Sequence, residues 1–325
     1  VTAVVDSTDA AATDAPPFDA PPADEAAAAD RADRSRRRRR QLTGQALLAP
    51  TTLWLVVFLL VPLGFIVAYA FFGQRNFGLG GADLSGFTTE NMRTALSGDY
   101  LSAFVRSLWF ALCTALVTLV IGFPLAWLIS RHGGRWQTWL LILVMIPFWT
   151  SYLARMFAWR SLLSTEGFLN TALGWTGLVD PADAPQWLGS PFAVVLVLVY
   201  SFLPFMILPL YISIDRLDYR LVEASYDLGG GRVATFFRVI VRQTLPGILG
   251  GTLLVFVPCV GDFATAQIIG GNTQQTRMVG QQIEGLFGRQ NNFPLGSSLA
   301  LLLMVFIVIG MIVYIRSVGR GKGGF

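Results

Sequence analysis

The sequence holds one lysine, one histidine and two cysteines in 325 residues. Each scarcity removes a class of chemistry. A phosphate-cradling P-loop needs G-x-x-x-x-G-K-[ST]. The sole lysine stands in Gly321-Lys322-Gly323, which excludes ATP binding by that route. The sole histidine, His132, sits beside Arg131 and Arg135 with no triad framing it. It reads as a solvated interfacial residue. Cys113 and Cys259 each lie inside an apolar run and read as small buried side chains, not a disulfide framework or metal cluster. No His/Cys/carboxylate cluster has metal-ligand spacing. Neither a metal site nor a catalytic residue is expected, so the chain reads as a non-enzyme.

Charge is scarce as well. Charged residues make up 14% and hydrophobic residues 54%, whereas soluble domains are about 25% charged. The mean hydropathy is +0.57. Residues 1–40 carry 15 of the 44 charged side chains, so the body is poorer in charge than the average implies. Residues 1–30 are rich in Ala, Asp and Pro and read as a disordered tail. Arg31, Arg34 and the run Arg36–Arg40 follow and abut an apolar segment, which points to a topology and anionic-lipid role, not nucleic-acid binding. The apolar stretch after the arginines is too long for a secretory signal.

What is abundant is apolar sequence. Six segments of about 20 residues or more lie near 53–72, 107–129, 139–158, 191–212, 248–269 and 295–315. At about 1.5 Å per residue each spans the ~30 Å hydrocarbon layer. Without water inside, each must be helical to satisfy its own backbone. The expectation is an all-α polytopic membrane protein with six transmembrane helices. Gly247 and Gly251 form a G-x-x-x-G step that reads either as a close helix approach or as a loop-to-helix junction. With the N-terminus in the cytoplasm, 17 of the 24 Lys/Arg residues fall on inner segments. Both termini are then cytoplasmic. Trp149, Tyr152, Trp159 and Trp187 suit an outer interfacial belt.

The longest inner connection, residues 213–247, is where charge returns. Asp215, Asp218, Arg220, Glu223 and Asp227 interleave with Leu217, Leu221, Tyr226 and Leu228 at helical spacing. Gly229-Gly230-Gly231 then supplies a tight stop, and a second amphipathic run covers 233–241. This predicts a helix–turn–helix on the inner face.

Glu223-Ala224-Ser225-x-x-x-Gly229 resembles the E-A-A-x-x-x-G loop of ATP-binding-cassette importer permeases. Further stretches are similar to the polyamine (spermidine/putrescine) type: Pro147-Phe148-Trp149-Thr150-Ser151-Tyr152 with Arg155, Glu166-Gly167 and Asn170; Leu203-Pro204-Phe205-Met206; Thr244-Leu245-Pro246-Gly247-Ile248; and Gly261-Asp262-Phe263. The resemblance covers about residues 45–318. It implies the type I ABC importer (MetI-like) fold, flanked by a tail at 1–44 and a cytoplasmic end at 319–325. It implies that the loop docks in a cleft of a separate ATPase, with Glu223, Ala224, Ser225, Asp227 and Gly229 as coupling residues. The implied partners are a second permease in a heterodimer, two ATPase subunits, an extracytoplasmic substrate-binding protein and membrane lipid. No cofactor is bound by this chain; ATP and Mg are used by the ATPase. The implied location is the bacterial inner membrane. Two features depart from the family pattern: Ser225 replaces the usual Ala, and Arg242 stands at a common Pro position, which implies a straighter second helix.

For the substrate pathway, Asp262 is the only acidic residue well inside an expected span. A charge there costs about 2.5–3.5 kcal/mol on insertion scales, so it should face a cavity or a partner such as Arg155. It reads as a cation-attracting site or a structural ion pair. Glu284, on an outer segment, reads as a cation attractor or a solvated residue. Trp149 and Tyr152 read as cation–π contacts or as belt residues. Other readings of the whole chain are the same importer class with ferric iron or an amino acid derivative as cargo, and an ion-coupled secondary carrier.

Overall fold

A computed structural model describes residues 50–72, 86–176, 185–271 and 273–320. The tail at 1–44, with its arginine run, and residues 321–325 lie outside the described residues. The chain divides into two units, Val1–Leu63 and Gly64–Phe325. In the first, the opening turns of helix α1 (Pro50–Phe71) expose their apolar side chains, and Trp54 stacks on Phe58 at 4.0 Å.

The second unit completes α1 and adds α2 (Glu90–Ala95), α3 (Gly98–His132), α4 (Gln137–Met145), α5 (Tyr152–Leu162) and α6 (Phe168–Trp175). Then come α7 (Pro191–Asp215), α8 (Tyr219–Asp227), α9 (Arg232–Val260), α10 (Ala264–Ile268), α11 (Val279–Gly288) and α12 (Phe293–Arg320). No strand occurs among the described residues. The all-α expectation holds. Among the described residues five helices are long and apolar enough to cross a membrane, and a bent pair, Gly134–Trp149 with Tyr152–Leu162, makes six if counted as one span.

Helices α3, α7 and α9 pack on one another and hold the core, with Phe110, Leu198, Met206, Ile207, Leu210 and Cys259 buried. Outward faces carry Trp109, Leu116, Val120, Leu128, Val305 and Ile312, all exposed. In water such a continuous apolar surface is a liability; in lipid it is the solvated side.

Two expected spans are interrupted. The third bends by 87° between Trp149 and Tyr152. Pro147 removes a donor, the chain tightens into a 3-10 turn at Ile146–Trp149, and Thr150 turns extended with ψ 155°. The Thr150 hydroxyl donates to the Pro147 carbonyl at 2.7 Å. The fifth span does not occupy 248–269. Its helix begins at Arg232, runs through Pro246 and a π segment at Phe236–Ile240, and ends at Val260. The second run of the inner loop is therefore the first part of the span, not a separate surface helix.

Gly247 and Gly251 lie within α9 and face α7. A Cβ at Gly247 would stand 2.6 Å from the Pro209 carbonyl oxygen and 2.3 Å from Ser213 Oγ; one at Gly251 would stand 2.8 Å from Met206 Sδ. Of the two readings of this step, close helix approach is the one observed. Gly247→Ala is expected to destabilise the bundle by about 1–3 kcal/mol through overpacking, seen as a lower unfolding midpoint of the detergent-purified protein. Gly250→Ala, whose nearest neighbour is Pro209 Cβ at 4.0 Å, should be silent. Equal midpoints for both would refute the contact.

Candidate functional site

The charged loop at 213–247 is built on α8. Leu217, Val222 and Ile240 form a small buried cluster backed by Phe123, Trp127 and Phe236, which fixes one face of the helix to α3 and α9. Arg131 at the end of α3 adds a tie: its guanidinium carbon lies 4.2 Å from the Tyr219 ring centroid and 5.6 Å from that of Trp127. At the N-terminus the Asp218 carboxylate accepts from the Arg220 amide at 3.1 Å, satisfying an otherwise orphan donor.

The C-terminus of α8 closes as a Schellman motif. Gly230 N–H donates to the Ser225 carbonyl at 2.8 Å and Gly229 N–H to the Tyr226 carbonyl at 2.9 Å. Gly229 adopts φ +79°, a conformation that glycine takes at little cost. The Ser225 hydroxyl lies 2.9 Å from that of Thr235, joining the helix to the start of α9. The five expected coupling residues all fall on this helix and its turn. Glu223, Ala224, Asp227 and Gly229 are exposed; Ser225 is half-buried against Thr235. Leu228 beside them is 89% exposed. Sequence reasoning missed Gly230, where a Cβ would meet the Ser225 carbonyl oxygen at 2.6 Å, whereas Gly231 has open space. The glycine triplet was the available signal, but nothing in it ranks its members.

The second site lies where the two interrupted spans meet. Asp262 is not inside a helix: it occupies the break between Val260 and Ala264. It is buried, 8% exposed. Its Oδ1 accepts from the Thr265 amide at 2.9 Å and its Oδ2 from the Thr265 hydroxyl at 3.1 Å. The Tyr152 hydroxyl donates to the same Oδ2. Tyr152 is the first residue of α5, just past the 87° bend. Of the four expected pathway residues, the structure thus brings Asp262 and Tyr152 together. Thr265, which sequence reasoning did not single out, completes the cluster; its one signal was a position three residues after a capping carboxylate.

Arg155, the other expected partner of Asp262, is buried with its guanidinium carbon 5.4 Å from the Tyr152 ring centroid and 5.9 Å from that of Phe148. Its Nε has no hydrogen-bond partner. The carboxylate is satisfied by hydroxyls and amides in place of that ion pair. Trp149 is 75% exposed and Glu284 is half-buried on α11; neither belongs to the Tyr152–Asp262–Thr265 hydrogen bonds. An apolar cavity of about 720 Å³ between α3 and α9 is lined by residues such as Phe123, Trp127, Phe237 and Leu245. It has no charged lining residue and holds no carboxylate to pair with a cation.

The family described as binding-protein-dependent transport system inner membrane component matches residues 120–318. The spermidine/putrescine transport system permease protein PotB of Escherichia coli (strain K12) is 34% identical over 264 residues, covering 81% of this chain and 94% of that protein. The protein of the same name from Haemophilus influenzae is 36% identical over 267 residues, covering 81% and 90%. In three dimensions the chain resembles a bacterial alginate ABC transporter solved in complex with an alginate pentasaccharide-bound periplasmic protein, with TM-score 0.68, 17% identity and coverage of 88% and 96%. That likeness establishes the fold: the type I ABC importer permease architecture. The chain belongs to the family of binding-protein-dependent transport system inner membrane components and is a multi-pass membrane protein.

Proposed function

We propose that this chain is a permease subunit of an ABC importer for polyamines of the spermidine/putrescine type, forming half of the translocation pathway. The observation that carries the reading is identity of 34–36% across 81% of the chain to permeases named for that cargo. A buried carboxylate at a helix break supports it, because a polyamine is a multivalent cation and a desolvated carboxylate is its natural counter-charge. The protein contributes no catalytic group of its own. ATP hydrolysis belongs to two copies of a separate ATPase, and the exposed face of α8 is the surface that meets one of them. A second permease completes the pathway, and an extracytoplasmic binding protein delivers cargo. Both termini face the cytoplasm. Closure of the ATPase dimer moves α8, and the spans rock about a central cavity as rigid bodies.

The test is uptake of radiolabelled spermidine and putrescine by cells lacking this chain. Loss of uptake, restored by the intact gene, is the expected result. Unchanged polyamine uptake with lost uptake of ferric iron or an amino acid derivative would replace the cargo while keeping the importer class.

A further inference from the structure

The donors to the Asp262 carboxylate come from two sources. The Thr265 amide and hydroxyl belong to the same turn as Asp262. The Tyr152 hydroxyl comes from across the bundle, 110 residues away in the chain. The two sources also differ in how they are held. The Gly261–Asp262 break is backed by α11: a Cβ at Gly280 would stand 2.4 Å from the Gly261 carbonyl oxygen and 3.1 Å from the Asp262 carbonyl carbon. The start of α11 is in turn anchored to α3, with the Val279 amide donating to Ser107 Oγ at 2.7 Å. Tyr152 leads α5, which packs on the same turn through the fully buried Met156, its Sδ accepting from the Thr265 hydroxyl at 3.3 Å, and joins α4 through the two exposed residues of the 87° bend, Thr150 and Ser151. Short non-helical joints of this kind absorb the backbone change of a hinge.

We infer that Tyr152 is a hinged cover on a carboxylate that is reserved for cationic cargo: with α5 docked, Asp262 is capped by neutral donors and closed to a cation; with α5 withdrawn, Oδ2 is freed to bind a substrate ammonium. The inference deepens the polyamine reading and rests on it for the chemistry of the ligand. Arg155 moves with the same helix. It lies on α5 against the Tyr152 ring, so withdrawal of α5 carries off a positive charge together with the phenol. Both changes make the site more attractive to a cation. A buried carboxylate that loses its donor from across the bundle is destabilised until something replaces it, which ties cargo binding to the withdrawn state by differential affinity.

The test uses the complete importer in proteoliposomes, with spermidine as the probe. Asp262→Asn is expected to raise KM about tenfold, the scale of one hydrogen bond to a charged group, and Asp262→Glu should recover part of it. Tyr152→Phe, which keeps the ring and removes the hydroxyl, is expected to lower KM and maximal rate together, because cargo no longer competes with the phenol and leaves more slowly. A structural role would depress the rate in both variants without this opposite movement of KM, and that result would overturn the inference. A second measurement is independent of cargo. With Cys113 and Cys259 replaced by alanine, Asp262→Cys should react with a cationic thiol reagent in only one of the nucleotide-free and vanadate-trapped states. Equal reaction in both states would overturn the cover. One-state labelling in an importer that carries no polyamine would leave the cover standing and overturn the cargo.

Discussion

Glu223→Arg is expected to abolish ATP-driven uptake while leaving the bundle folded. Glu223 is exposed near the middle of α8, beside the small exposed Ala224 and one turn before Asp227. The helix is anchored by the buried Val222 and by the Arg131–Tyr219 contact, and the Glu223 side chain itself is exposed. The substitution therefore leaves packing untouched and changes only the surface offered to the ATPase. Reversing a charge at a docked interface converts attraction into repulsion, and loss of a close charge pair costs about 2–5 kcal/mol, or more than tenfold in affinity. The measurement is recovery of the ATPase chain with a tagged permease, run beside an uptake assay and an unfolding curve. Intact co-purification with normal uptake would remove Glu223 from the contact. A lowered unfolding midpoint would show damage to the fold in place of damage to docking.

Gly230→Val is expected to be as severe by a different route. The new Cβ would stand 2.6 Å from the Ser225 carbonyl oxygen and 2.7 Å from Ser225 Oγ, the two groups that close the helix and join it to Thr235. The last turn of α8 must unwind to admit it, at a local cost of about 1–3 kcal/mol. The readouts are faster proteolysis within residues 213–247 and loss of ATPase recovery. Gly231→Ala, with open space at its Cβ, is the matched control and should behave as wild type. If both variants dock and transport normally, the turn is not what holds α8 in place.

The two variants also mark what the sequence makes legible. Low charge, long apolar runs and the returning charge at 213–247 identify a helical membrane protein with one charged connection between spans, and the described residues have that form. Composition reports where a helix is apolar but not where it bends. Pro147 was visible, yet Pro204, Pro209 and Pro246 sit inside unbroken helices. Only the 3-10 turn and the extended Thr150 make the third span break. Asp262 was misplaced for a related reason. Apolar neighbours on both sides, Val260 and Phe263, made it look embedded in a span. Its own carboxylate instead draws in the Thr265 amide and starts a new helix there. The pairing of Asp262 with Tyr152 could not be read from spacing, because 110 residues separate them and no periodicity connects the two segments. Within the loop, residue types marked an exposed, charged helix face, and α8 presents one. The demand for glycine at 230 rests on a backbone contact, which residue types do not encode.

The continuity of α9 has a mechanical consequence. Its 29 residues make a rod about 43 Å long at ~1.5 Å per residue, with the coupling turn at one end and the Asp262 break at the other. The close approach to α7 at Gly247 and Gly251 lies between those ends and nearer to Asp262. If that contact serves as a fulcrum, α9 is a lever with its longer arm toward the ATPase. A tilt delivered at the Gly229–Gly231 turn then bears on the far end, which α11 backs, reduced in amplitude: leverage that trades distance for force where the hydrogen bond to Tyr152 has to be broken.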